Sequence, residues 1–207
     1  MVSRLTRWAR RYKPPSLKFL ADRVQEYYRA SNWYRQSYHT IKTYLEDPEL
    51  FIKLLAATSQ RNSVKANTAA ALDAYRCIQT NTPITKKYGI ADKLIKENIS
   101  RIKQGAPLKG PKIKSFAAAL NGDSDKIVID VWMLRAFNIK RQAPTPLDRY
   151  CIQERITQLS NKLNMAPRDV QACLWTWAKT ELNNTSFKES YDFSYYLKQH
   201  MECVKND

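Results

Sequence analysis

Only four glycines, Gly89, Gly105, Gly110 and Gly122, punctuate 207 residues. A β-sandwich or barrel of this length reverses direction many times and needs far more glycine in its turns. The scarcity points to an all-α fold, and the apolar spacing agrees. Pro14 and Pro15 separate a basic, aromatic start from a first long helix over about residues 16–30. NWYRQSYHTIKTYL follows as a second helix, and PELFIKLLAATS begins a third with proline in its first turn. Asn62 or Ser63 can cap VKANTAAALDAYRCI, whose alanines allow close packing. IADKLIKENISRIKQG is amphipathic, with Ile90, Leu94, Ile95, Ile99 and Ile102 on one side and Gly105 at its end. A turn at Lys109-Gly110-Pro111 leads into a helix whose buried face is Ile113, Phe116, Ala117 and Leu120. SDKIVID is extended or buried coil, and Asp130 starts the helix VWMLRAFNI. Further helices near residues 149–163, 167–182 and 187–203 bring the expected number to about ten.

Charge narrows the partner. Thirty-five Lys and Arg against 19 Asp and Glu leave a formal charge of +16. Such an excess calls for a polyanion, nucleic acid before an anionic membrane surface. No apolar run is long enough to span a bilayer, and the basic start lacks the apolar centre of a signal peptide. That start, residues 1–15, is expected to be a basic arm that touches phosphates or stays solvated. Cys77, Cys151, Cys173 and Cys203 show no closely spaced pair, so neither a zinc ribbon nor a tight iron–sulfur loop is expected. With two histidines, His39 and His200, and no HExxH, there is little material for a histidine metal site or a serine triad. No metal or cofactor is expected, and the location is expected to be reducing: cytoplasmic or nucleoid-associated.

The chemistry concentrates between Leu108 and Phe137. A helix–turn–helix hairpin with glycine in its turn can aim backbone N–H groups at a phosphate, and Lys109, Lys112 and Lys114 surround that turn. Such contacts grip the DNA backbone without reading bases. Beyond it, in KIVIDVWMLRAF, one aspartate follows three aliphatics and opens an apolar helix. At a helix start the dipole and open N–H groups favour a carboxylate there.

This order resembles the helix-hairpin-helix DNA glycosylases of the endonuclease III superfamily. Their hairpin runs roughly L-P-G-V-G-x-K-T-A, and a catalytic aspartate follows in V-D-x-H-x-x-R. PLKGPKIKSFAAAL stands in the hairpin place, IDVWMLRAF in the aspartate place, and LLAATSQRNSVKANT is similar to the family's upstream helix entry. The resemblance covers about Phe51 to Phe137. It implies a two-lobed all-α fold. Residues 16–46 and 125–207 would form a terminal lobe, and 47–124 a central lobe with the hairpin near 104–121. The family's active-site cleft lies between two such lobes. It implies a monomer that acts on double-stranded DNA with one base flipped out. Asp130 takes the catalytic place, and Lys112, 18 residues before it, that of a lyase nucleophile. If Gly110 matches the family's first glycine, Lys114 stands there instead. Lys109, Gly110, Lys112, Lys114, Gln60, Arg61 and Arg135 would contact DNA. Thr58 stands where the family often has a gap-filling glutamine, and Gln60 is close enough to substitute. The family's four-cysteine cluster is absent.

The implied reaction is cleavage of a base–sugar bond. Positive charge builds on the sugar as that bond breaks, and a fixed carboxylate stabilises it and orients water. A desolvated lysine could instead attack C1′. Two rivals stand beside this reading. One is a transferase on the same scaffold that alters a base without excision, as in some phage relatives. The other is a DNA-binding module in which Asp130 only caps a helix and Lys112 only meets phosphate. Trp132 reads as core, Asp123 and Asp125 as turn residues, and Trp175 and Trp177 fall on different faces of one helix.

Overall fold

The computed structural model describes residues 4–182 and 193–205. Among them are eleven α-helices, one short 3-10 helix and no strand, so the all-α expectation holds. The chain divides into two compact units. Met1–Tyr34 and Asp123–Ser190 form the first, and Arg35–Gly122 and Tyr191–Asp207 the second. The expected lobes ended at residue 46 and kept the whole C-terminus with the first lobe. The division instead falls inside one continuous helix, and the C-terminal helix joins the second unit.

The first unit contains α1 (Arg4–Tyr12), α2 (Leu17–Glu26), the 3-10 turn Tyr28–Asn32, α8 (Val131–Ala136), α9 (Pro146–Leu163) and α10 (Pro167–Glu181). Ser16 caps α2, its hydroxyl accepting from the Phe19 amide at 3.1 Å. α10 is the hub, packed against α2, α8, α9 and the 3-10 turn. Leu20, Val24, Leu134, Phe137, Ile152 and Leu174 meet in its core, each fully buried. Ile127, Val128 and Ile129 are buried coil rather than strand.

The basic start is not an arm. α1 packs on α9 and sends Trp8, 1% exposed, into the core. The Trp8 indole N–H donates to Asp148 Oδ1 at 3.1 Å. Leu5, Ala9 and Tyr12 complete the inward face of α1. An apolar stripe between arginines outweighs the solvation of the charges around it.

Asp148 ties several elements together. It closes a capping box with Thr145 at the start of α9, and Arg141 pairs with it at 3.2 Å. Burial pushes its carboxyl up. The Thr145 amide and hydroxyl, the Trp8 indole and Arg141 more than offset this and hold it below the usual carboxylate range. The folded value lies under the unfolded one. Its ionisation therefore adds stability above the unfolded pKa, and that stability is lost as pH falls through the folded value. Denaturant melts of Asp148→Asn should show a deficit at neutral pH that shrinks in acid below about pH 4. A deficit independent of pH would contradict this linkage.

The second unit is built around α4 (Pro48–Thr58), in which Phe51, Ile52, Leu54 and Leu55 are all fully buried. Asp47 caps it, accepting from the Leu50 amide at 2.9 Å. It packs against α5 (Val64–Gln79), α6 (Asp92–Lys103) and α7 (Pro111–Leu120). Buried Ala70, Ala71 and Ala74 give α5 the small side chains that close approach requires. Ser63 is its cap. α3 (Trp33–Tyr44) leads into this unit. α11 (Phe193–Lys205) packs on α5, and Phe193 meets Phe116 of α7 at 5.9 Å. The expected start of this last helix, residues 187–192, lies outside the described residues.

Ile95 and Ile99 turn into the core as expected, but Leu94 does not, and Ile90 is 86% exposed. α6 begins only at Asp92, so helical periodicity does not extend to Ile90. Among the described residues, no helix is long and apolar enough to cross a membrane.

Candidate active site and nucleic-acid interface

In the first unit, Asp130 is the N-cap of α8. Its Oδ1 accepts from the amides of Trp132 at 2.9 Å and Met133 at 3.1 Å. Its Oδ2 accepts from the Trp175 indole N–H at 3.0 Å. Three neutral donors thus fix both oxygens. Among the described residues no Lys, Arg or His pairs with this carboxylate, although the chain carries 35 Lys and Arg. An N-cap needs only the first two bonds. The third, from α10, aims the free side of the carboxylate.

Aromatic rings surround that bond. Trp33 lies 6.1 Å from Trp175 and 4.8 Å from Tyr34, centroid to centroid. The Lys179 ammonium sits 4.9 Å from the Trp175 ring centre. The Tyr34 hydroxyl donates to Gln171 Oε1 at 2.8 Å. Burial and the nearby Asp130 charge push the Tyr34 hydroxyl well up, so it stays neutral. Trp177 is 4% exposed and belongs to the core, while the half-buried Trp175 faces Asp130, as two faces of one helix require.

Arg135 turns back onto its own segment. Its guanidinium donates to the Ile139 and Arg141 carbonyls at 2.7 and 3.1 Å and closes the end of α8. Asp123 accepts from the Asp125 amide at 3.1 Å, a turn bond as expected. Trp132 is partly buried against the core.

In the second unit, Gly105, φ +67°, closes the C-terminus of α6 just beyond its cap Gln104, in a double reverse bond. The Gly105 amide reaches the Ile102 carbonyl at 3.0 Å, and the Ala106 amide reaches Arg101 at 2.8 Å. Arg101 Nε then donates to the Pro107 carbonyl at 2.6 Å, and the Lys109 amide to Asn98 Oδ1 at 2.7 Å. These bonds set the turn that delivers Gly110, φ +106°, to the start of α7, where no side chain caps the helix. That open positive end suits an anion. Of the turn lysines, Lys109 and Lys114 are exposed and Lys112 is half-buried. The Lys109 ammonium pairs with Glu97 at 2.6 Å. The Lys112 ammonium donates to the Ser59 carbonyl at 3.0 Å, at the C-terminus of α4, where the helix dipole favours a cation. Gln60 is half-buried and Arg61 exposed just beyond.

Two features had no local signal. Trp175 stands 45 residues from Asp130, and nothing in either segment announces the pair. The other is Ile90. Tyr88, 4% exposed, anchors its turn through an amide bond to Asp92 at 2.9 Å and a hydroxyl bond to Asp73 at 2.7 Å. Gly89 follows at φ +93°, where a Cβ would stand 3.0 Å from Asn62 Oδ1. The turn therefore holds an isoleucine in solvent, with Lys86, Lys87 and Lys93 exposed around it in the chain.

No curated protein and no solved structure matches the chain. Residues 19–182 match the model of a family of unknown function, DUF7178. α1 precedes and α11 follows the matched segment, which runs from within α2 to the end of α10. On that match the protein belongs to the DUF7178 family.

Proposed function

We propose that the protein is a DNA glycosylase that draws a base out of the duplex and hydrolyses its N-glycosidic bond, with Asp130 as the catalytic carboxylate. One observation carries this reading: Asp130 is fixed by three neutral donors and, among the described residues, paired with no cation. A counter-ion would cancel the field that a cationic sugar needs; neutral dipoles preserve it. Such a carboxylate can also orient the attacking water.

The other features support the same chemistry. A net charge of +16 and the uncapped start of α7 suit the phosphate backbone. Ile90, in the second unit, is an exposed apolar side chain of the kind that wedges into a base stack. Gln60 is the polar alternative for that role. The Lys112 bond to Ser59 speaks against Lys112 as a lyase nucleophile, because a nucleophilic amine must be neutral and free of such a role, and leaves Lys114 as the alternative.

Mass spectrometry of DNA carrying damaged or naturally modified bases, after incubation with the protein, tests the proposal. Free base is the expected product and names the substrate. A nucleoside of altered mass, with sugar attached, would replace the glycosylase by a base-modifying transferase. The wedge has its own test. Ile90→Ser should melt within about 0.5 kcal/mol of wild type, as exposed positions do. Its base release from duplex should fall about tenfold, with little loss on single strands that need no unstacking. Equal losses on both substrates would remove Ile90 from the mechanism.

A further inference from the structure

Arg4, Arg7, Arg10 and Arg11 all lie on the exposed side of α1. Positions 4, 7 and 11 recur at helical spacing, and the four span about 10 Å at 1.5 Å per residue. Among the described residues none of them has a carboxylate partner; Arg11 alone touches a ring, its guanidinium 5.3 Å from the Tyr12 centre. The first acidic residue of the chain is Asp22. Like charges this close repel, so a folded helix that keeps four of them unpaired is held by its other face. That face is locked in several places. Trp8 bonds to Asp148, Tyr12 to Arg141, the Lys13 carbonyl accepts from Asn138 at 2.8 Å, and the Pro15 carbonyl from Arg155 at 3.0 Å. The Asn138 bond also sets the end of α1 beside the segment that carries exposed Lys140.

We propose that the outer face of α1 is a binding surface for the DNA phosphate backbone, in the same unit as Asp130. The inference rests on the glycosylase reading for the identity of the polyanion. Guanidinium forks suit phosphate oxygens, and contacts of this kind carry no sequence preference. A lipid surface fits less well. Helices that lie on membranes insert an apolar face, and here Trp8, Leu5, Ala9 and Tyr12 are already spent on the protein core.

The test is fluorescence anisotropy of the full chain with a labelled, undamaged duplex across a salt series. Two quadruple variants are compared with wild type: all four arginines to Gln, and all four to Lys. The Gln variant should bind roughly tenfold or more weakly at low salt, with a salt slope smaller by about 2 to 3, near 0.9 for each lost phosphate contact. The Lys variant should keep most of the slope. Neither should melt below wild type by more than about 0.5 kcal/mol, since among the described residues the four side chains make only the Arg11–Tyr12 ring contact, and the Gln variant also relieves their mutual repulsion. If wild type binds and releases base while the Gln variant binds equally well, α1 is not a DNA surface and the glycosylase reading stands. If wild type releases base from no DNA offered, the glycosylase reading falls; a slope still lost in the Gln variant would then uphold α1 alone. Preference of wild type for anionic vesicles over duplex would overturn the inference.

Discussion

Asp130→Asn should release base about a hundredfold or more slowly than wild type, the scale of a lost catalytic carboxylate. The fold should survive, because an asparagine carbonyl still accepts from the Trp132 and Met133 amides. It will not be silent in a melt. The new amide N–H₂ faces the Trp175 indole N–H, donor against donor, where a hydrogen bond stood. That costs roughly 1 kcal/mol or somewhat more. Trp175→Phe separates the two effects. It removes the indole donor and keeps the carboxylate, so its rate should fall less than that of Asp130→Asn. The double variant should melt above the sum of the two single losses, because the donor clash is gone. Rate assays and melts on the four proteins complete the cycle. Wild-type turnover by Asp130→Asn would remove Asp130 from catalysis and leave it a cap.

Trp8→Ala should destabilise the chain by about 3–5 kcal/mol, the range for removing a large aromatic from a core. Trp8 is 1% exposed and bonds Asp148, so the deletion opens a cavity and takes a donor from a buried carboxylate. Trp8→Phe keeps most of the volume and loses only the indole bond, at roughly 1–2 kcal/mol. Urea unfolding monitored by far-UV circular dichroism measures both. Midpoints equal to wild type would mean that α1 is a detached arm. The same variants bear on the arginine face, which keeps its geometry only while Trp8 stays in place.

Much of this protein is legible in short stretches of sequence. Scarce glycine and regular apolar spacing place it among all-α folds, since both act within a few residues. Ser16, Asp47, Ser63 and Asp130 announce helix starts because a capping side chain meets amides two or three residues on. The inward face of α7 and the opposite facing of Trp175 and Trp177 follow from helical spacing. Asp130 stands out by the same local logic, as a carboxylate that opens an apolar helix.

What the sequence concealed is what depends on distant partners. The basic start looks solvated until α9 supplies Asp148 for Trp8, 140 residues away. Periodicity assigned Ile90 to a buried face, but the bonds of Tyr88 to Asp73 and Asp92 decide that the helix begins later and the side chain stands in water. The division between units falls inside α3, where the local sequence is one unbroken helix. Nothing near Asp130 foretells the indole that fixes its second oxygen. Caps and helices are set by neighbours in the chain and could be read directly; the orientation of the Asp130 carboxylate is set by packing, and only the tertiary structure could bring Trp175 to it.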